Sequence, residues 1–174
     1  EPLLPAGTRL EPLLSQAHDL SRAATTLAGT RVPPELRRLL RNMNSYYTNR
    51  IEGQHTRPHE IDQALRQDFS KDAALAAKQR LAVAHIEAEE ALEQRYASAE
   101  NAPALFTVEA VQSLHRELFG RLPAADLLTP EGEAIVPGAL RHREVRVGQH
   151  VAPSHASVAE FLARWAGFYG GVRR

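Results

Sequence analysis

The chain has 174 residues, 21 Lys plus Arg against 21 Asp plus Glu, and 43% hydrophobic content, which is enough for one well-buried core. Its formal net charge of +0 removes the long-range field of a generic nucleic-acid binder or polybasic membrane protein. With no cysteine, disulfides, Cys-ligated zinc, iron–sulfur clusters and a cysteine nucleophile are excluded, and a reducing, cytoplasmic setting is expected.

The elements follow in chain order. Leu10, Leu13, Leu14, Ala17, Leu20, Ala24 and Leu27 recur three and four apart and predict a first helix stopped at Gly29. Pro33 and Pro34 open a second through Leu36, Leu40, Met43, Tyr47 and Ile51, ending at Gly53 with Glu52 in its last turn. Pro58 starts a short third helix containing Ile61 and Leu65, and Ser70 is expected to cap a fourth. From Lys71 to about Ala97 the chain is rich in strong helix formers with no Gly or Pro, so one long helix is expected, followed by a connection over Ala99 to Ala104.

Thr107 suits an N-cap for a helix through Val108, Val111, Leu114, Leu118 and Phe119, with Phe106 and Val111 placed as a hydrophobic staple. Gly120 and Pro123 end it, and the residues up to about Pro153 show no helical period. There Val145 and Val147 alternate with Glu144 and Arg146, and Gly148-Gln149 can turn the chain, so a short hairpin is expected. The last helix puts Val158, Phe161, Leu162, Trp165, Phe168 and Tyr169 on one apolar stripe that other residues must cover. No stretch approaches a membrane span and no basic leader precedes an apolar run, so a soluble chain that does not bind membranes is expected.

The residues able to carry chemistry are few. His55 and His59 have i, i+4 spacing but Pro58 lies between them, which argues for solvated loop histidines over a metal site. His85 reads as a surface or satisfied core histidine. His115, among Leu114, Leu118 and Phe119, reads as a structural histidine bonded to a backbone carbonyl. His142, His150 and His155 match no metal spacing, and no metal ligand set is assigned. Arg141, His142, Arg143 and Arg146 form a basic patch without aromatic residues to stack bases, so solvated loop charge is favoured over nucleic-acid binding. Glu52 stands out, because a carboxylate at the negative end of a helix dipole calls for a cationic partner.

Around that residue, Thr48-x-x-x-Glu52-Gly53 resembles the inhibitory [Ser/Thr]-x-x-x-Glu-[Gly/Asn] helix of Fic-domain proteins, with Thr56 and Pro58 to Leu65 fitting its flank. Leu114-His115-Arg116-Glu117-Leu118-Phe119 is similar to the family's Leu-His-x-x-Leu-Phe helix, and Pro137-Gly138-Ala139-Leu140-Arg141 to its Pro-Gly-x-[Tyr/Phe]-Arg turn, with Leu140 in place of the aromatic residue. Val145-Arg146-Val147-Gly148 resembles the β-hairpin flap that follows, and Ala152-Pro153 the start of the next helix. The order holds from about Met43 to about Tyr169.

The resemblance implies a mostly α fold: a helical Fic-like bundle with a short hairpin flap, in which residues 1–57 form an N-terminal helical region with the inhibitory helix. Residues 58–174 would be an incomplete Fic core with the flap at about 137–151. It implies transfer of AMP from ATP, with Mg²⁺, to a hydroxyl of a target protein by the complete parent. The regulatory residues would be Thr48, Glu52 and Gly53, and the target-binding flap would be Gly138, Arg141, Val145, Arg146, Val147 and Gly148.

The family's catalytic loop, His-x-Phe-x-[Asp/Glu]-Gly-Asn-Gly-Arg, is absent from these residues, so no catalytic residue is assigned. The expectation is an N-terminal part that is inactive alone and holds no nucleotide tightly. Its partners would be the parent's target protein and, through the C-terminal helix, a second copy. The alternative is a non-enzymatic helical module that docks a partner through that apolar helix.

Overall fold

The computed structural model describes residues 7–28, 32–96, 105–129 and 131–170. It is mostly helical: α1 (Leu10–Ala28), α2 (Pro34–Ile51), α3 (Pro58–Leu65), α4 (Ala73–Arg95), α5 (Val108–Phe119) and α6 (Val158–Gly170), with two short strands, β1 (Arg146–Val147) and β2 (His150–Val151). No helix among the described residues is long and apolar enough to cross a membrane. The expected Gly29 stop and the whole Ala99 to Ala104 connection lie outside the described residues.

The chain divides into two compact units, Glu1–Leu39 and Leu40–Arg174, with the boundary inside α2. In the first unit a 3-10 turn at Gly7–Arg9 leads into α1. The Thr25 and Thr26 hydroxyls donate to the carbonyls of Ser21 and Arg22 one turn back, which lets two β-branched polar residues sit within the helix. The leucine stripe of α1 is exposed: Leu13, Leu14, Leu20 and Leu27 are all solvent-facing.

The second unit is organised by α4. Ala76, Ala82, Val83, Ala84, Ile86 and Ala88 are buried along it, and Ile61 of α3 and Tyr46 of α2 pack on the cluster around Ala82 and Ile86. Alanines contribute little area each, so close approach and polar interlocks carry much of the specificity. The Ser45 hydroxyl of α2 donates to the Ala82 carbonyl at 2.9 Å, and the Asn49 amide donates to Ser45 O and Oγ. Gln79, 1% exposed, accepts from the Ser70 N–H at 2.7 Å and donates to the Glu60 carbonyl of α3 at 2.9 Å.

Helix ends follow local chemistry, with one correction. Asp72, not Ser70, caps α4, its carboxylate accepting from the Leu75 N–H at 2.8 Å, while the Ser70 hydroxyl accepts from the Asp72 N–H. An ionised acceptor placed against the first-turn N–H groups is the better cap, because it also meets the positive end of the helix dipole. Thr107 caps α5 as expected, accepting from Ala110 N–H. Phe106 packs with Trp165 and Tyr169 of α6, ring centroids 6.0 and 5.9 Å away, so the aromatic residue before α5 fastens α6.

Charged pairs complete the unit. Arg41 of α2 bridges Glu90 and Glu93 of α4, and Asn44 donates to Glu89. Arg80 of α4 grips Asp126 in a bidentate pair at 2.5 and 2.9 Å, pinning the 3-10 turn Ala124–Asp126. This hydrogen-bonded pairing raises the already high Arg80 pKa. The Asp126 carboxylate is 9% exposed, so removing its partner leaves a poorly hydrated charge. Arg80→Ala is expected to lower unfolding stability by about 1.5–3 kcal/mol in a urea titration, the range for hydrogen bonds to charged groups.

Candidate functional site

At the end of α2 the backbone closes in a Schellman arrangement: Gln54 N–H donates to Asn49 O at 2.7 Å and Gly53 N–H to Arg50 O at 3.1 Å, with Gly53 at φ +76°. Only a residue without a side chain takes that left-handed conformation cheaply, so Gly53 defines where the helix stops. Glu52 is thereby the C-cap, one turn after Thr48 and on the same face, and both are exposed with Gly53. The neighbouring cation Arg50 bonds the Tyr46 hydroxyl at 2.9 Å, and Glu52 has no ion pair or side-chain hydrogen bond among the described residues. Thr56, which follows, is 3% exposed with its hydroxyl oxygen lacking a partner among the described residues.

The second cluster is built on α5. Gly138, buried at φ +83°, donates its N–H to His115 Nδ1 at 2.7 Å, and its carbonyl accepts from the Gln112 side chain at 3.0 Å. The Arg116 guanidinium lies so close that a Cβ on Gly138 would stand 2.8 Å from it. This corrects the reading of His115: its ring accepts from a backbone N–H instead of donating to a carbonyl, which places the neutral-state proton on Nε2. The ring is half-buried and stacks on Phe119 with centroids 4.5 Å apart, and burial holds its pKa below the ordinary value.

After this turn the chain enters the hairpin. Arg146 pairs with Val151 and Val147 with His150, antiparallel, and Gly148 at φ +60° supplies the positive φ that a primed two-residue turn needs. Val145 O accepts from Ala152 N–H at 3.1 Å, extending the ladder one step. Arg141 clamps the base, donating to Arg143 O at 2.6 Å and to Pro153 O. Glu144 accepts from the Ser154 hydroxyl at 2.9 Å and pairs with His155 Nδ1 at 2.8 Å, and these contacts keep its carboxyl below the usual range.

The basic patch is largely spent within the chain. Arg143 pairs with Glu131 and Glu133, and Arg146 donates to Gly148 O at 2.8 Å across its own turn. Between α5, the segment leading to the hairpin and the start of α6 lies a half-open cavity of about 410 Å³, whose lining includes Phe119, Ile135, Leu140, Val145 and Val158 with His115 at its wall. Leu140, the position where the Fic-like pattern has an aromatic residue, faces this cavity.

The sequence-level candidates therefore fall into two groups. Gly138, Arg141, Val145, Arg146, Val147 and Gly148 form one continuous turn and hairpin, whereas Thr48, Glu52 and Gly53 form the exposed end of α2. No hydrogen bond or ion pair joins the two groups among the described residues. Gln112 and Arg116 were missed as positioning residues; Gln112 stands three before His115 and four before Arg116, and that spacing was the available signal. Among the described residues no group of three His, Asp or Glu side chains could hold a metal ion. In comparisons with known proteins, no family model, no curated protein and no solved structure matches the chain.

The His115 contact has a signed pH dependence. Because its folded pKa lies below the unfolded value, near 6.5, the contact contributes fully above that value and is lost as pH falls through the folded pKa. Protonation puts a hydrogen on Nδ1, which then cannot accept from Gly138. Deuterium exchange of the Gly138 amide, corrected for intrinsic rate, is expected to accelerate as the pH is lowered from about 7 to about 5, and to lose this pH response in His115→Ala.

Proposed function

We propose that the chain is the N-terminal part of a Fic-type protein adenylyltransferase, carrying its autoinhibitory helix and its target-positioning flap. The observation that carries this reading is the 2.7 Å bond from Gly138 N–H to His115 Nδ1. It joins the Leu-His-x-x-Leu-Phe and Pro-Gly-x-x-Arg segments, 23 residues apart, directly before a hairpin in the expected place. A second support is Glu52, a C-cap carboxylate without a cation among the described residues, where the reading requires a charge kept available for an arginine of the catalytic motif.

On this reading Glu52 competes with the γ-phosphate of ATP for that arginine, and Thr48, one turn earlier, keeps the same face polar. The hairpin holds a target segment by main-chain hydrogen bonds along a strand edge, as an added strand. Arg141 and Glu144 keep the base of the hairpin on the segment leading to α6, so the strand edge does not swing. On this reading ATP and Mg²⁺ are held by the complete parent, and no chemical step is assigned to the described residues.

A second reading has its own observation. Phe161 and Phe168 stay 50% and 42% exposed on α6, beside the Trp165 and Tyr169 contacts with Phe106, which suits a helical interaction module docking a partner there.

The natural reading frame decides between them: continuation past Arg174 into His-x-Phe-x-[Asp/Glu]-Gly-Asn-Gly-Arg is expected, and a frame lacking that motif leaves the interaction module. In the longer protein Glu52→Gly is expected to raise auto-modification with labelled ATP about tenfold or more, equivalent to about 1.4 kcal/mol of relieved competition. No increase in ATP binding or transfer would remove the inhibitory role.

A further inference from the structure

We infer that α1 is a self-association element: two copies of the chain pair through their α1 helices in an antiparallel, two-stranded coiled coil. The stripe of α1 contains a coiled-coil seam, with Leu14 as an apolar flank beside it. Leu10, Leu13, Ala17, Leu20, Ala24 and Leu27 alternate spacings of three and four without a break, which is the 3.5-residue period of a supercoiled seam. Leu13 is 50% exposed, Leu20 72% and Leu27 62%, so the seam faces water in the chain as described.

The residue sizes on the seam select both the partner and its direction. In an antiparallel pair with full overlap, Leu10 meets Leu27 of the second copy, Leu13 meets Ala24, and Ala17 meets Leu20. Every inner layer then sets one leucine against one alanine, giving even volume along the seam and a close approach. A parallel pair stacks Ala17 on Ala17 and Ala24 on Ala24, leaving two layers underfilled between leucine layers. The same sequence is thus complementary to itself only when reversed.

Charge agrees with a second copy as the occupant. The positions flanking the seam, Leu14, Gln16, Ser21 and Ala23, carry no charge, so nothing repels an identical helix. Glu11, His18, Asp19 and Arg22 all lie on the outer face. The reversed pairing also sets each helix dipole against its opposite. A partner of different sequence would be expected to be selected by charges at these flanks, and there are none.

Sedimentation equilibrium of the whole chain over a micromolar series is expected to show a monomer–dimer equilibrium. Leu20→Glu is expected to weaken the dimer about a hundredfold or more, because the twofold axis buries the new carboxylate twice. Circular dichroism should stay unchanged for so exposed a position. Phe161→Glu on α6 is expected to leave the dimer intact. The chain has no cysteine, so a mixture of Gln16→Cys and Ala23→Cys chains reports direction: a mixed disulfide between the two variants is expected on oxidation. A chain monomeric throughout the series, a dimer broken by Phe161→Glu and not by Leu20→Glu, or a dimer without the mixed disulfide would each overturn the proposal.

Discussion

The small side chains of α4 are the constraint on which the second unit rests. A helix of 23 residues with alanine or valine at most of its buried positions can be approached closely by α2, α3 and α5, yet it supplies little apolar area to hold them. Polar groups therefore take over the fastening. Ser45 and Gln79 are buried and bonded between helices, Asn49 backs Ser45 from within α2, and Arg80 reaches from α4 to Asp126. Such groups hold each helix in one register, because any slide leaves a buried donor or acceptor without its partner.

The turn at Gly138 passes this order on to the hairpin. Three side chains of α5, Gln112, His115 and Arg116, converge on one glycine, and the turn can sit there only because that residue has neither a Cβ nor an objection to positive φ. Everything that follows, from the Arg141 clamp to the Glu144 contacts with Ser154 and His155, builds outward from that fixed point. The hairpin itself is too short to be stable in isolation, and its position is set by its anchors more than by its own ladder.

The fold also leaves work undone. The α2 C-cap exposes a carboxylate with no cation among the described residues, and α6 turns two phenylalanines to water while Trp165 and Tyr169 pack on Phe106. The stripe read as one apolar face on α6 is thus covered only in part, and Phe168 packs on Tyr169 while staying 42% exposed. In the other unit Leu13, Leu14 and Leu20 of α1 are solvent-facing.

Much was legible in the residues alone, and the reason is local. Helix periods, Pro58 and Gly53 as boundaries, Thr107 as a cap and Gly148 as a hairpin turn all express conformational preferences settled within a few residues, and all appear where the sequence puts them. The Asp72 cap was missed because Ser70, Asp72 and the first turn compete for the same N–H groups, and the stronger acceptor wins only once the backbone path is known. What the tertiary structure alone decided lies across long separations: that His115 accepts from Gly138, that Arg80 finds Asp126, that Arg41, Glu90 and Glu93 meet, and which face of α6 is covered. Those pairings depend on how helices approach one another, and a side chain's sequence neighbours hold no record of what packing will bring beside it.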